Sequence, residues 1–345
     1  MKEEISAFQE DLERLADREY IDWERFRGKT FFITGATGLI GYTLTSALLY
    51  YGRTRDAHIK VIALVRDIER ARTKFSGQPA KSHDLVFVHG TIDGMPKIDA
   101  PVDYIVHGAS PTASRSFVQR PVETIRTIAE GTKNVLEMAR QQNISGMVHL
   151  SSMEVFGDID RKRKLREEDL GPIDLFSPRS SYPEAKRLAE ALCYAYTTEY
   201  QVPVTVARLA QTFGPGVERG DERVFAYLAR CAIGGEAIRL KTDGAKENMY
   251  LYTADAVGAI LRLLEAGERG TAYNVGDPET YCSIKELSAT AVSALGGKDV
   301  PVITNCGGGA FPSNSYLDLD VSKLLALGWT PTYGLPQMFQ RMVRG

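Results

Sequence analysis

Tyr182 and Lys186 stand four residues apart in Tyr182-Pro183-Glu184-Ala185-Lys186, one helical turn, so both side chains share a helix face. A lysine ammonium beside a phenol favours the phenolate and is expected to lower the Tyr182 pKa toward working pH. A phenolate is the base needed to take a hydroxyl proton while hydride leaves the same carbon. Upstream, an apolar strand runs into His149-Leu150-Ser151-Ser152-Met153-Glu154-Val155-Phe156-Gly157. A serine at the carboxyl end of a parallel strand faces the ligand crevice and can hydrogen-bond a reacting oxygen, a role open to Ser151 and to Ser152.

These groups need a nucleotide site beside them, and the sequence supplies one. Phe31-Phe32-Ile33-Thr34 reads as a strand and runs into Gly35-Ala36-Thr37-Gly38-Leu39-Ile40-Gly41, three glycines spaced three apart. An amphipathic run from Tyr42 to Tyr51 follows. The strand delivers the chain to a tight turn, the glycines let backbone approach a pyrophosphate, and the next helix turns its positive N-terminus toward that anion.

The elements that position both sites alternate along the chain. Val61 to Val65, Leu85 to Val88, Tyr104 to Val106, Met147 to Leu150 and Val204 to Ala207 are continuous apolar runs, separated by helical patterns such as Val122 to Gln141 and Glu184 to Tyr200. Continuous rather than alternating apolar strands are buried on both faces, which predicts an α/β fold: a Rossmann-type, doubly wound parallel sheet. Beyond Phe213 the alternation weakens. A smaller C-terminal substrate-binding lobe is expected there, with helices near 222–233 and 253–266, the short apolar runs Ile238 to Leu240 and Ala272 to Val275, and an N-capped helix from Ser283. The division expected is an N-terminal helical extension over 1–28, a mainly dinucleotide-binding domain over 29–210 and a mainly substrate-binding lobe over 211–345, with segments near 253–276 returning to the first domain.

Composition narrows the function. At 345 residues and a net charge of −2, the chain carries no global basic field for nucleic acid. Arg161-Lys162-Arg163-Lys164 is followed by Glu167-Glu168-Asp169 and reads as a solvated loop. The four cysteines lack metal-ligand spacing and the five histidines form no HxxxH or HxH pattern, so no metal is expected. The start of the chain is charged and amphipathic, and no apolar run is long enough to span a bilayer; a cytoplasmic protein without membrane partners is expected.

Taken together, these motifs resemble the extended short-chain dehydrogenase/reductases, the group holding nucleotide-sugar epimerases, 4,6-dehydratases and UDP-glucuronate decarboxylases. The resemblance runs from Lys29 to the C-terminus and includes Gln211-Thr212-Phe213-Gly214-Pro215-Gly216, Tyr273-Asn274-Val275-Gly276 and Leu327-Gly328-Trp329-Thr330-Pro331. It implies that Ser152 is the catalytic hydroxyl, that Tyr182 is the acid/base and that Lys186 orients the cofactor. Glu154 matches the glutamate with which dehydratases and decarboxylases remove a C5 proton once C4 is a ketone. The resemblance also implies a cofactor site of Gly35, Thr37, Gly38, Leu39, Ile40, Gly41, Thr91, Ile92, Gly108, Ala109, Ser110, Tyr182, Lys186 and Leu209. Pro111, Thr112, Ser152, Met153, Gln211 and Asn248 would face a nucleotide-sugar substrate, and a homodimer is expected. His107 to Ser114 is similar to the sugar-facing loop of the decarboxylases.

Three positions depart from the family pattern. Met153 stands where glucose-type dehydratases carry an acid, Asn248 where relatives carry an arginine for pyrophosphate or sugar carboxylate, and Gln211 where an asparagine is common. Lys246 and Arg239 are the nearby cations. The second strand ends Val65-Arg66-Asp67, with Arg66 suited to a 2′-phosphate, so the cofactor expected is NAD or NADP with a lean to NADP. The leading expectation is oxidation at C4 of an activated sugar followed by epimerisation, dehydration or decarboxylation, with the hydride usually returned. The alternatives are a one-way reductase of a keto-sugar or sugar-derived carbonyl, and a non-catalytic protein of the same fold.

Overall fold

The computed structural model describes residues 5–77, 83–111, 114–297, 300–306 and 315–345, and of Ser114 the backbone alone. Its strands are β1 (Thr30–Thr34), β2 (Lys60–Val65), β3 (Leu85–His89), β4 (Tyr104–His107), β5 (Gly146–Ser152), β6 (Lys164–Leu165) and β7 (Val204–Leu209). The remaining strands are β8 (Gln211–Phe213), β9 (Ile238–Arg239), β10 (Glu247–Tyr252), β11 (Ala272–Val275), β12 (Asp277–Ser283), β13 (Val302–Ile303) and β14 (Tyr316–Leu319). The helices are α1 (Ala7–Ala16), α2 (Leu39–Thr54), α3 (Ile68–Phe75), α4 (Ser114–Gln119), α5 (Pro121–Gln142) and α6 (Ser181–Tyr200), then α7 (Val224–Gly234), α8 (Thr253–Ala266), α9 (Ile284–Ala294), α10 (Ser322–Leu325) and α11 (Leu335–Arg344).

The central sheet has seven strands in the order β11-β7-β5-β4-β1-β2-β3, every neighbouring pair parallel. Helices α2 and α8 pack together on one face, and α5 and α6 on the other. This is the doubly wound fold that the apolar strands imply. The register aligns Thr34 with His107, His107 with His149, and Ser152 with Leu209, so the carboxyl ends of β1, β4, β5 and β7 finish side by side. In this topology that edge is where ligands bind. Helix α8 and β11 rejoin the central sheet, while β12, β10, β14 and β6 form a second sheet to which β8 is added through β10.

Two expectations change. Leu85 to Val88 is not buried on both faces: β3 is the sheet's edge strand and Val86 keeps 45% of its surface exposed. An apolar run marks a strand, but only its place in the sheet decides its burial. The N-terminal extension is also less uniformly helical than expected, with α1 followed by a short 3-10 turn over Trp23–Phe26. It is built into the core rather than appended. Trp23 stacks on Tyr51 of α2 at 4.3 Å between ring centroids. Arg341 of α11 donates to Asp11 Oδ1 and the Ala7 carbonyl, each at 2.7 Å, and to Tyr252 Oη of β10 at 2.8 Å, while Tyr252 donates to Asp11 Oδ2 at 2.6 Å. Segments near both chain ends are thereby tied to β10 of the second sheet.

Candidate functional site

The glycine turn is held together by contacts that no side chain would allow. Gly35 takes φ +76°, and a Cβ on it would lie 2.8 Å from the Gly108 carbonyl carbon and 2.9 Å from Ala109 N; one on Gly41 would lie 2.2 Å from the Gly35 oxygen. The first and third glycines therefore let β1, β4 and α2 close on one another. Gly38 is exposed and caps the N-terminus of α2, leaving the first amides of that helix without intrahelical acceptors and pointing past the sheet edge. A dinucleotide pyrophosphate fits this cradle. Thr37, Leu39 and Ile40 flank it half-buried, as do Gly108, Ala109, Ser110 and Pro111 at the end of β4. The Ala109 amide donates to Thr34 Oγ1 at 3.1 Å, fixing the β4 turn against β1.

The other cofactor candidates are placed less evenly. Arg66 is exposed at the carboxyl end of β2, and Asp67 is spent as the N-cap of α3, accepting from Arg70 N at 2.9 Å. Thr91 is exposed and accepts from Gly94 N at 3.1 Å. Ile92 and Leu209 have buried side chains, Ile92 packed with Phe32 and Leu64 under the sheet. Thr112 lies outside the described residues.

Helix α6 carries Tyr182 and Lys186 on its sheet-facing side. Phe117 of α4 lies flat on the Tyr182 ring. Lys186 is buried, donates to the Leu150 carbonyl at 2.7 Å and keeps its ammonium 5.9 Å from the Tyr182 ring centre. Burial pushes Lys186 down to about 8, opposed by the negative charge of Glu190 one turn further along. The expectation that Lys186 depresses the phenol is corrected here. Burial first and the Glu154 carboxylate second hold Tyr182 above its ordinary value, against which the Ser152 hydroxyl and the Arg179 guanidinium act. Lys186 spends its charge on a backbone carbonyl instead.

The two serines differ in their partners. Ser151 donates to Glu190 Oε1 at 2.5 Å, and Glu190 holds Arg208 of β7 in a bidentate pair that is nearly fully buried. Ser152, on the opposite side of the strand, is half-buried, faces Tyr182, and accepts from Glu154 N at 3.2 Å. Glu154 in turn pairs with Arg179 Nη2 at 2.6 Å. Arg179, Glu190, Arg208 and Phe117 escaped the sequence reading. Glu190 stands four residues after Lys186 and Arg179 three before Tyr182, spacings that carry no signal without the fold.

The expected substrate side is mixed. Met153 opens the short turn after β5 and is buried, packed with the main core. Gln211 of β8 aligns with Tyr250 of β10, two residues after Asn248, so the three share one face of the strand pair. Gln211 Oε1 and Asn248 Oδ1 are buried without a hydrogen-bond partner. Of the two neighbouring cations, Lys246 stands among Glu154, Arg179 and Asp158, and the surrounding protein lowers its pKa. Arg239 is exposed on β9, where its amide donates to Tyr227 Oη at 2.9 Å.

A strand-glycine turn-helix cradle thus lies beside a serine, a tyrosine and a lysine, and residues 31–276 match the NAD dependent epimerase/dehydratase family. The chain belongs to that family. UDP-glucuronic acid decarboxylase 1 of Xenopus tropicalis is 28% identical over 316 residues, covering 91% of this chain and 71% of that protein. Among solved structures, the UDP-glucuronic acid 4-epimerase of Bacillus cereus, in complex with UDP-glucuronic acid and NAD, superposes with a TM-score of 0.74 at 21% identity, covering 90% of this chain and 97% of the epimerase. The dTDP-glucose 4,6-dehydratase DesIV of Streptomyces venezuelae gives 0.74 at 24% identity, covering 91% and 96%. Family membership accounts for the central sheet and the glycine turn. The family hosts several reactions, so the reaction of this member rests on the residues around Tyr182.

Proposed function

We propose that the protein oxidises C4 of a nucleotide-activated sugar and then transforms the resulting ketone. The observation that supports this reading is the placement of Glu154 beside Ser152 and Tyr182. A dinucleotide held by the Gly35–Gly41 turn supplies the hydride acceptor. Tyr182 takes the C4 hydroxyl proton, Ser152 holds the C4 oxygen, and Lys186 anchors the tyrosine's helix to β5. Once C4 is a carbonyl, the C5 hydrogen is acidic and the Glu154 carboxylate removes it. Return of a proton to C5 gives an epimer, and loss of a C6 hydroxyl gives a dehydrated sugar. A sugar bearing a carboxylate at C5 loses carbon dioxide from the β-keto acid. Arg66 stands where a guanidinium holds a 2′-phosphate, which supports NADP beside NAD. Mass spectrometry of products from UDP-, GDP-, CDP- and dTDP-sugars, with and without NADPH, tests this reading. Product formation without added NADPH supports a closed hydride cycle.

A second reading, a one-way reductase of a keto-sugar or sugar-derived carbonyl, is favoured by the uncharged Asn248 and predicts stoichiometric consumption of NADPH in the same assay. The remaining inferences concern assembly. Val118, Val122, Ile125, Leu188 and Tyr194 expose apolar surface on α4, α5 and α6, which supports a homodimer through those helices, testable by sedimentation. No helix among the described residues is long and apolar enough to cross a membrane, and the four cysteines are unpaired, which supports a cytoplasmic location.

A further inference from the structure

A carboxylate beside an acid/base tyrosine creates an electrostatic conflict. Glu154 must be close enough to reach the sugar that Tyr182 deprotonates. At that distance its negative charge opposes the phenolate that the first step requires. The structure places a third group at this conflict. Arg179, three residues before Tyr182, sits in the short turn Pro178–Ser180 that leads into α6, and its Nη2 lies 2.6 Å from Glu154 Oε2. Its guanidinium also lies over the Phe117 ring, 4.9 Å from the centroid, and Phe117 stacks on Tyr182 at 4.3 Å with 12° between the planes. Phe117 thus touches both the Arg179 guanidinium and the Tyr182 ring, and the guanidinium binds the Glu154 carboxylate.

We propose that Arg179 is a positioning residue for both steps: it fixes the Glu154 carboxylate at the mouth of the site and cancels that carboxylate's field at the Tyr182 hydroxyl, so that a proton-abstracting glutamate and an ionising tyrosine work side by side. This rests on the roles given above to Glu154 and Tyr182. The groups facing the pair bear it out. Tyr182 shares a hydrophobic cluster with Phe117 of α4, Ile128 of α5, and Ala185 and Ala189 of its own helix. The charges that face it are Glu154 and Arg179, with Lys186 behind, committed to the Leu150 carbonyl. Lys246 stands near Glu154, Arg179 and Asp158. Glu154 and Arg179 keep 32% and 38% of their side-chain surface, so their field is open to salt.

The test is a double-mutant cycle with two readouts. First, difluorotyrosine at position 182 lowers the phenol into an accessible range, and fluorine NMR follows its titration in the free protein. The apparent pKa should rise in Arg179→Met, fall in Glu154→Gln, and return near the starting value in the double variant; Arg179→Lys should stay near wild type. Second, single-turnover reduction of bound cofactor by a nucleotide-sugar substrate should slow about tenfold at neutral pH in Arg179→Met for each unit that the phenol rises. It should recover when Glu154→Gln is added, although product formation does not. A purely structural Arg179 would give no such recovery. Equal titration of residue 182 in all four proteins would overturn the proposal whatever the substrate proves to be. Absence of cofactor reduction in wild type with every nucleotide sugar, with the titration order intact, would count against the proposed function and not against the charge balance.

Discussion

Phe117 lies flat against Tyr182, the ring centroids 4.3 Å apart and the planes 12° from parallel, with both rings buried. The Tyr182 ring is thus fixed by packing, independently of its hydroxyl. Tyr182→Phe should keep that stack, bind the dinucleotide nearly as wild type does, and lose turnover by about 10²–10⁴-fold, the usual effect of removing a positioned acid/base. Calorimetric cofactor titration alongside steady-state rates checks this. Near-normal rates would remove Tyr182 from the mechanism.

Glu154→Gln separates the two chemical stages. The amide keeps the shape but cannot take a proton. The variant should still oxidise substrate, seen as reduced nicotinamide absorbance in a single turnover, and stall at the 4-keto sugar. Unchanged product formation would reduce Glu154 to the structural partner of Arg179 and favour epimerisation at C4 or simple reduction.

Arg66→Ala should weaken NADP more than NAD, because only the 2′-phosphate offers a guanidinium a bidentate, charge-assisted partner. Asp67 is engaged in capping α3, so it competes poorly for a ribose diol. Equal losses for both cofactors by calorimetry would end the case for NADP.

Asn248 and Lys246 make opposite predictions for the substrate's anion. If the substrate carries a pyrophosphate, Lys246→Ala should raise the Michaelis constant, since Lys246 stands near Glu154 while Arg239 is exposed on β9, and Arg239→Ala should leave it unchanged. Asn248→Arg should then preserve or tighten binding of a free nucleoside diphosphate. A substrate without pyrophosphate predicts no nucleoside diphosphate binding by wild type and no gain in Asn248→Arg.

The terminal staple sets a stability prediction. Asp11→Ala leaves the buried Arg341 guanidinium facing Tyr252 with Glu10 as the remaining ion-pair partner among the described residues. Breaking a buried pair from one side costs about 3 kcal/mol or more, so the denaturation midpoint should fall while the cofactor affinity of the surviving folded protein is unchanged. Asp255, buried and raised to about 6, adds a pH signature. Between its ordinary value and 6 the folded state binds more protons than the unfolded chain, so this carboxyl's contribution to stability falls as pH rises through that window. Asp255→Asn should flatten that slope in urea titrations.

Much of the site was legible because its signals are local. The glycine spacing of Gly35, Gly38 and Gly41 is set by one turn and one helix start, and the interval from Tyr182 to Lys186 by one helical turn; neither needs the rest of the molecule. The same locality gave the parallel strands and the helices between them. Charge partners and burial were not legible, because they depend on segments that meet only after folding. Glu154 and Arg179 are 25 residues apart in the chain, and Asp11 and Arg341 are 330 apart. Ser151 and Ser152 are adjacent and of one type, and only the pleat of β5, turning one toward Glu190 and the other toward Tyr182, tells them apart. The sequence by itself determined the nucleotide cradle and the tyrosine-lysine helix, since backbone geometry and side-chain period specify both. The tertiary structure alone decided which charges surround the tyrosine, because electrostatic fields act through space and not along the chain.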